Sequence, residues 1–312
     1  MRPVNILLYL GLSAALFLLS ACSSPAPARK SDVELSRVAL SARRTFEVGQ
    51  AEGAARLYHK ALQLARADDN SPEISANAYN LALCLVSLKR YAEALPLLDE
   101  AEAEAARRGA DATEIRLLKA KALYLGGEPK KAAEIARRAL EAPDRLAPAA
   151  RAQFEILLAR IALDGGDAAG AKAGLKRAED VLGGDSSTLL DAETAGLAGA
   201  ILSAEGAFGP AARDFDREAD RLRKAEKYRD MADALRRAGE AYITSGDNRA
   251  AADRFFRSAR AAYAQGDTVQ SLRTIEAALA VLDKETDAGE IGRIAALFEE
   301  IKKSVPPAPE RE

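Results

Sequence analysis

Two thiols and one imidazole are the side chains of this 312-residue chain best suited to chemistry. Cys22 ends the run Leu19-Ser20-Ala21-Cys22, after an apolar stretch from Val4 to Leu19 and a short basic start at Arg2. That stretch is too short to span a bilayer comfortably and has the form of a secretory leader. Cys84 lies in Leu81-Ala82-Leu83-Cys84-Leu85-Val86, where a thiol serves as a small buried hydrophobe. A reactive thiol needs an exposed electropositive site, and none is visible there. With Cys22 modified, Cys84 has no partner for a disulfide. His59, the one histidine, has Tyr58, Arg56 and Lys60 beside it and reads as a solvated surface residue. One His without a reactive Cys supports neither a nucleophile–base pair nor a His-rich zinc site. Glu100, Glu102 and Glu104 are spaced as a solvated helix face, so no catalytic carboxylate pair stands out. These residues point away from an enzyme and call for no metal or cofactor.

Leu19-Ser20-Ala21-Cys22 resembles a lipobox, the cleavage motif of bacterial lipoproteins, at all four positions. The resemblance implies that residues 1–21 are a signal peptide. It also implies that the Cys22 thiol takes a diacylglycerol and that the freed amine takes a further palmitate-type chain. More than one acyl chain makes a stable anchor, since each buried methylene adds roughly 0.8 kcal/mol. Two other readings of the segment stay open. Ala26-Pro27-Ala28 has the form of an A-x-A cleavage site, well past the apolar run, and the run itself could remain uncleaved as an anchor. In Gram-negative lipoproteins an Asp after the lipidated Cys favours inner-membrane retention. Ser23 stands here, so the resemblance implies a lipid-anchored protein of the outer membrane facing the periplasm. Residues 22–33, rich in Ser, Pro and Ala after the cysteine, read as a flexible tether.

The elements behind the tether are helices. Hydrophobic residues make up 48% of the chain, yet aromatics are 5% and Trp is absent, so Ala carries much of the apolar content. Ala favours helix and lets helix axes approach. Strand signals are weak throughout. A net charge of −2 gives no basic face for nucleic acid and no polybasic cluster for lipid headgroups.

One pattern recurs along the chain: an apolar helix, a turn residue, then a helix with a small residue near its start and a larger one four residues on. The turn positions are Gly49, Lys89, Gly127, Gly166, Gly206 and Gly246, at steps of 38 to 40, with Gly266 as a last copy. Gly can close a helix in the left-handed conformation, and Asp167, Asp247 and Asp267 directly after it can cap the next helix. Ser71-Pro72 and Asp111-Ala112-Thr113-Glu114 read as helix starts, the latter with capping-box spacing. Ala54, Ala82, Ala120, Ala159, Gly199 and Gly239 fall where paired helices would cross. Gly165 to Lys172 is only faintly similar to a phosphate-binding loop. The lysine is displaced, no Ser or Thr follows it, and a helical segment precedes it.

Leu81-Ala82 with Leu85, Ala238-Gly239 with Tyr242, and Ala54, Tyr58 and Ala61-Leu62 resemble the tetratricopeptide (TPR) repeat. The resemblance implies an all-α solenoid of helical hairpins over residues 34–283, with about six to seven helix pairs. The repeat length here exceeds the usual TPR value of about 34. The third copy departs most, with Ala136 in place of the expected aromatic. The helix around 251–265 would serve two successive pairs. Residues 284–304 read as a capping helix and 305–312 as a disordered tail.

In TPR domains the first helix of each pair lines a groove for peptides. Carried over by register, that groove would include Arg43, Phe46, Tyr79, Leu83, Val86, Lys121, Tyr124, Ile156, Arg160, Arg236, Glu240, Arg260 and Tyr263. Tyr79 and Tyr124 would serve equally well as packing between helices. The family's carboxylate clamp of Lys and Asn is not met, since Asn77 and Asn80 lack the matching lysines. The expectation is a membrane-anchored scaffold that binds proteins, in envelope assembly or in secretion or pilus biogenesis. A regulator of peptidoglycan synthesis that binds a cell-wall enzyme is the second reading, and an enzyme the remote third.

Overall fold

The computed structural model describes residues 30–183 and 187–304. The leader, the Leu19-Ser20-Ala21-Cys22 motif, the tether up to residue 29 and the tail 305–312 lie outside the described residues. Fourteen α-helices follow one another among the described residues: α1 Lys30–Glu47, α2 Ala51–Ala67, α3 Ser71–Ser87, α4 Tyr91–Arg107, α5 Thr113–Leu125, α6 Pro129–Leu140, α7 Pro148–Asp164, α8 Ala168–Leu182, α9 Thr188–Ala204, α10 Phe208–Lys224, α11 Tyr228–Thr244, α12 Asn248–Ala264, α13 Thr268–Ala280 and α14 Ala288–Ser304. Successive helices pack against each other, and α3, α5, α7 and α9 also touch in succession. The result is the expected all-α solenoid of helical hairpins. No helix among the described residues is long and apolar enough to cross a membrane.

The turns explain the regular spacing. Gly246 sits at φ +86°, and the N–H of Asp247 then reaches back to the carbonyl of Tyr242 at 2.9 Å. This is a Schellman closure, which satisfies carbonyls left over at the helix end. Asp247 caps the next helix by accepting from the Ala250 N–H at 3.0 Å. Asp167 and Asp267 cap in the same way. Where the sequence has Lys89, the same turn forms at φ +61° without Gly, as it does at Asp69 and Glu226. The turns between pairs at Asp69 and Glu226 therefore match those within pairs. Helices of 17 residues and turns of three residues bring α10–α12 into the same register as α2–α4.

Small-against-large contacts set the approach of paired helices. A Cβ at Gly199 would stand 2.8 Å from the Phe215 ring, and one at Gly239 would stand 2.8 Å from the Phe255 ring. Ala82 and Leu98 occupy the places of Gly239 and Phe255 in the earlier register, both fully buried. A larger side chain on one helix is thus matched by a smaller one on its neighbour. Hydroxyls obey the same register: Ser75 donates to the Ala101 carbonyl, and Ser258 donates to the Ala232 carbonyl, the equivalent pair with the hydroxyl on the other helix.

Three features differ from the sequence reading. The first helix opens at Lys30, inside the expected tether, with Leu35, Val38 and Ala42 buried along it. Asp111 does not form a capping box. Its carboxylate accepts from the Thr113 N–H at 3.0 Å and hydroxyl at 2.7 Å, and Ala112 occupies the cap position. In the third pair α5 and α6 are shortened to 13 and 12 residues, and a 3-10 turn at Pro143–Arg145 leads into α7. At the far end α12 packs on both α11 and α13, and Ile294 and Ile301 of α14 close the last apolar cluster.

Candidate functional site

Side chains of the odd-numbered helices are tied together across the repeats. Lys121 on α5 donates to Gln153 Oε1 on α7 at 3.2 Å and lies 3.6 Å from Glu193 Oε1 on α9. Arg160 on α7 donates to the Glu193 carbonyl at 3.5 Å. Tyr124 donates its phenol to Asp164 at 2.6 Å. Burial, and then this carboxylate, push the phenol up to about 12. Gln270 on α13 donates to Asp233 on α11 at 3.1 Å, and Arg236 bonds to Glu240 on its own helix. These bonds skip the even helices, so the odd helices share one face.

A cleft of about 410 Å³ opens on this face between α7, α9, α10 and α11. Arg160, Glu193, Lys227, Asp230, Asp233 and Arg237 supply charges of both signs, with Leu189, Ala192 and Leu222 as apolar surface. At its base Glu218 is 7% exposed. Gly196 makes room for it, because a Cβ there would lie 2.5 Å from the Glu218 carboxylate. Arg237 Nη2 donates to both Glu218 oxygens at 2.9 Å each, and the guanidinium lies 4.9 Å from the Phe215 ring centre. Burial raises the Glu218 carboxyl above its ordinary value, while Arg237 and Arg160 oppose the shift. A second cleft, of about 430 Å³, lies between α11 and α13 and includes Asp233, Arg236, Val269 and Arg273. Leu189 and Val269 stand 43% and 63% exposed beside the two clefts.

The residues singled out from sequence fall into separate groups. Lys121 and Arg160 meet around Glu193 on the odd-helix face. Arg236 lines the second cleft of that face. Phe46, Tyr79, Leu83 and Val86 pack half-buried against the first core cluster, while Arg43 is exposed and pairs with Glu47 at 2.9 Å. Ile156 is 2% exposed and belongs to the core, which corrects its place on the groove. Arg260 lines a different cleft beside Tyr228, and Tyr263 packs on the last cluster. Asn77 is buried and donates to the Glu73 carbonyl at 2.8 Å. Glu193, Glu218, Asp230, Asp233 and Arg237 were not singled out. Glu218 did carry a signal: it falls on the apolar stripe of Ala211, Phe215, Ala219 and Leu222, where a carboxylate needs a reason.

His59 is exposed, and among the described residues no group of three or more His, Cys, Asp or Glu is placed to hold a metal. Cys84 is fully buried, and burial pushes its thiol up to about 11. In a Cys22→Ala chain Cys84 should therefore resist a thiol reagent at pH about 8 until the protein unfolds, because the thiolate is the reactive form. Rapid native-state labelling would contradict the burial.

No family model matches the chain, and no curated protein matches it in sequence. Its fold is nonetheless shared with solved structures. The quorum sensor NprR from B. thuringiensis in its apo form is similar over 94% of this chain and 92% of that one, with a TM-score of 0.56 at 13% identity. NprR in complex with its cognate peptide NprX gives 0.58 over 89% and 90%, also at 13% identity. A STAND protein with a tetratricopeptide repeat sensor from Pyrococcus horikoshii gives 0.54 at 14% identity, over 86% of this chain but only 44% of that one. At such identities the likeness shows the TPR-like helical-repeat fold alone.

Proposed function

We propose that this chain is a scaffold that binds other proteins through its odd-helix face and is held at a membrane by lipid on Cys22. The observation that carries the binding half is the pair of clefts on one face, each mixing both charge signs with an exposed apolar residue, Leu189 or Val269. Apolar anchors give binding energy to such a surface, and flanking charges set register and partner choice. A solved TPR-like relative by fold, NprR, holds its cognate peptide, which supports peptide or protein segments as the ligand class here.

The anchor half rests on the Leu19-Ser20-Ala21-Cys22 motif and the apolar run before it. Lipid on Cys22 and Ser23 after it support the periplasmic side of the outer membrane as the address, and with it a role in envelope assembly, secretion or pilus biogenesis. Metabolic labelling with a palmitate analogue tests the anchor. Wild-type chain is expected to take label and sediment with membranes, and Cys22→Ala to do neither. A labelled, membrane-bound Cys22→Ala chain would contradict it. The binding half is tested separately, by crosslinking from the odd-helix face in cells.

A further inference from the structure

The common register of α2–α4 and α10–α12 shows that the later repeat reverses the charge at the position of Glu100. In the earlier copy Arg66 makes a two-pronged pair with Glu100, through Nε at 2.8 Å and Nη2 at 2.6 Å. Arg223 takes the place of Arg66 in the later copy, and Arg257 takes the place of Glu100. Two guanidiniums therefore stand where an ion pair stood. Ala261 likewise replaces Glu104, and Arg260 replaces Ala103.

These substitutions surround a cleft of about 420 Å³ between α10, α11 and α12. Arg223, Arg257 and Arg260 line it and no carboxylate does; Met231 and Leu235 supply apolar surface. Tyr228 stands 41% exposed beside them. Among the described residues Arg223 pairs only with Asp220 and Arg257 only with Asp253, both on their own helices. Exposed pairs of that kind are weak and exchange readily. Arg260 makes no ion pair among the described residues and lies 5.8 Å from the Phe256 ring centre.

We infer that this cleft is a second docking site, distinct from the odd-helix face, for an acidic protein segment carrying an aromatic or apolar side chain. Guanidiniums suit carboxylates because their planar forks match them in pairs. The apolar surface and Tyr228 fit a side chain between the acids. The three guanidiniums form a local cluster beside apolar surface, not the extended basic face that a nucleic-acid backbone calls for, which favours a protein ligand.

The test uses full-length protein in mild detergent and a fluorescein-labelled ten-residue peptide of Glu and Asp with one central Phe. Anisotropy is expected to show binding that weakens as salt rises. Arg257→Glu rebuilds the Arg66–Glu100 arrangement, so it should keep the helical circular dichroism while weakening the peptide roughly tenfold or more. Arg260→Glu should weaken it as well, and Leu189→Glu on the odd-helix face should not. Three outcomes would overturn the site: equal affinity for a Gln/Asn version of the peptide, unchanged affinity in both arginine variants, or tighter binding of a single-stranded oligonucleotide of equal charge.

Discussion

Replacing Arg237 with Ala should lower the unfolding free energy by about 3–5 kcal/mol at neutral pH, the cost of leaving a buried charge without its partner. Glu218 is 7% exposed, and Arg237 bonds to both of its oxygens. The substitution also removes the contact of Arg237 with the Phe215 ring. The deficit should depend on pH in a definite direction. Burial already holds the Glu218 carboxyl above its ordinary value of 4.5, and loss of Arg237 raises it further. A raised carboxyl favours the folded state in full below that ordinary value, and this contribution is lost as pH rises through the folded-state value. Denaturant midpoints should therefore show a small deficit near pH 4.5 and the full one at pH 7. Adding Glu218→Gln to the Arg237→Ala chain should flatten the dependence. Equal deficits at both pH values would mean that Glu218 is not the stranded charge.

The second large effect concerns Gly239 and Phe255. A Cβ at Gly239 would lie 2.8 to 3.0 Å from three ring carbons, too close without movement of a ring that is itself packed. Overpacking of this kind costs about 1–3 kcal/mol, against a gain of about 1 kcal/mol for Ala over Gly in helix propensity. Gly239→Ala should thus lower the melting temperature in spite of the better helix former. Phe255→Leu alone leaves a void and should cost about 1–3 kcal/mol. The double variant recreates Ala82 against Leu98, which the chain already uses in the earlier register. It should be more stable than the sum of the single changes allows, with a coupling of about 0.5–3 kcal/mol. Additive losses would remove size matching as the rule that sets the approach of the paired helices.

The repeat was legible in the sequence because its punctuation is local. A Gly at the left-handed position and an Asp after it act on the backbone within a few residues, and Gly166-Asp167, Gly246-Asp247 and Gly266-Asp267 do so here. The turns at Asp69 and Glu226 carry no glycine, so the equal spacing of helices in α2–α4 and α10–α12 emerged only in the structure. Asp111 misled for a related reason. Its side chain bonds two residues on, to Thr113 at the first position of the helix, rather than three residues on to Glu114. The binding face was legible only in part. Lys121 and Arg160 were picked by register, but their meeting point, Glu193, depends on how α5, α7 and α9 stack. Glu218 lay hidden for another reason: one carboxylate on an apolar stripe takes its meaning from Arg237, 19 residues away on the next helix. Arg260 shows the limit of register alone. Its helix serves two pairs, and the side chain lies in the basic cleft with Arg223 and Arg257.

The scaffold reading stands or falls on whether the two odd-helix clefts bind while exposed even-helix positions outside the basic cleft do not. A photo-crosslinking amino acid placed at Leu189 or Val269 probes the two odd-helix clefts. The same residue at Lys176 on α8 or Arg213 on α10 probes exposed positions on even helices. Irradiation of cells expressing each full-length variant is expected to trap the same discrete protein species from Leu189 and Val269, and none from Lys176 or Arg213. Identical adducts from all four positions, or adducts from the even helices alone, would contradict the account.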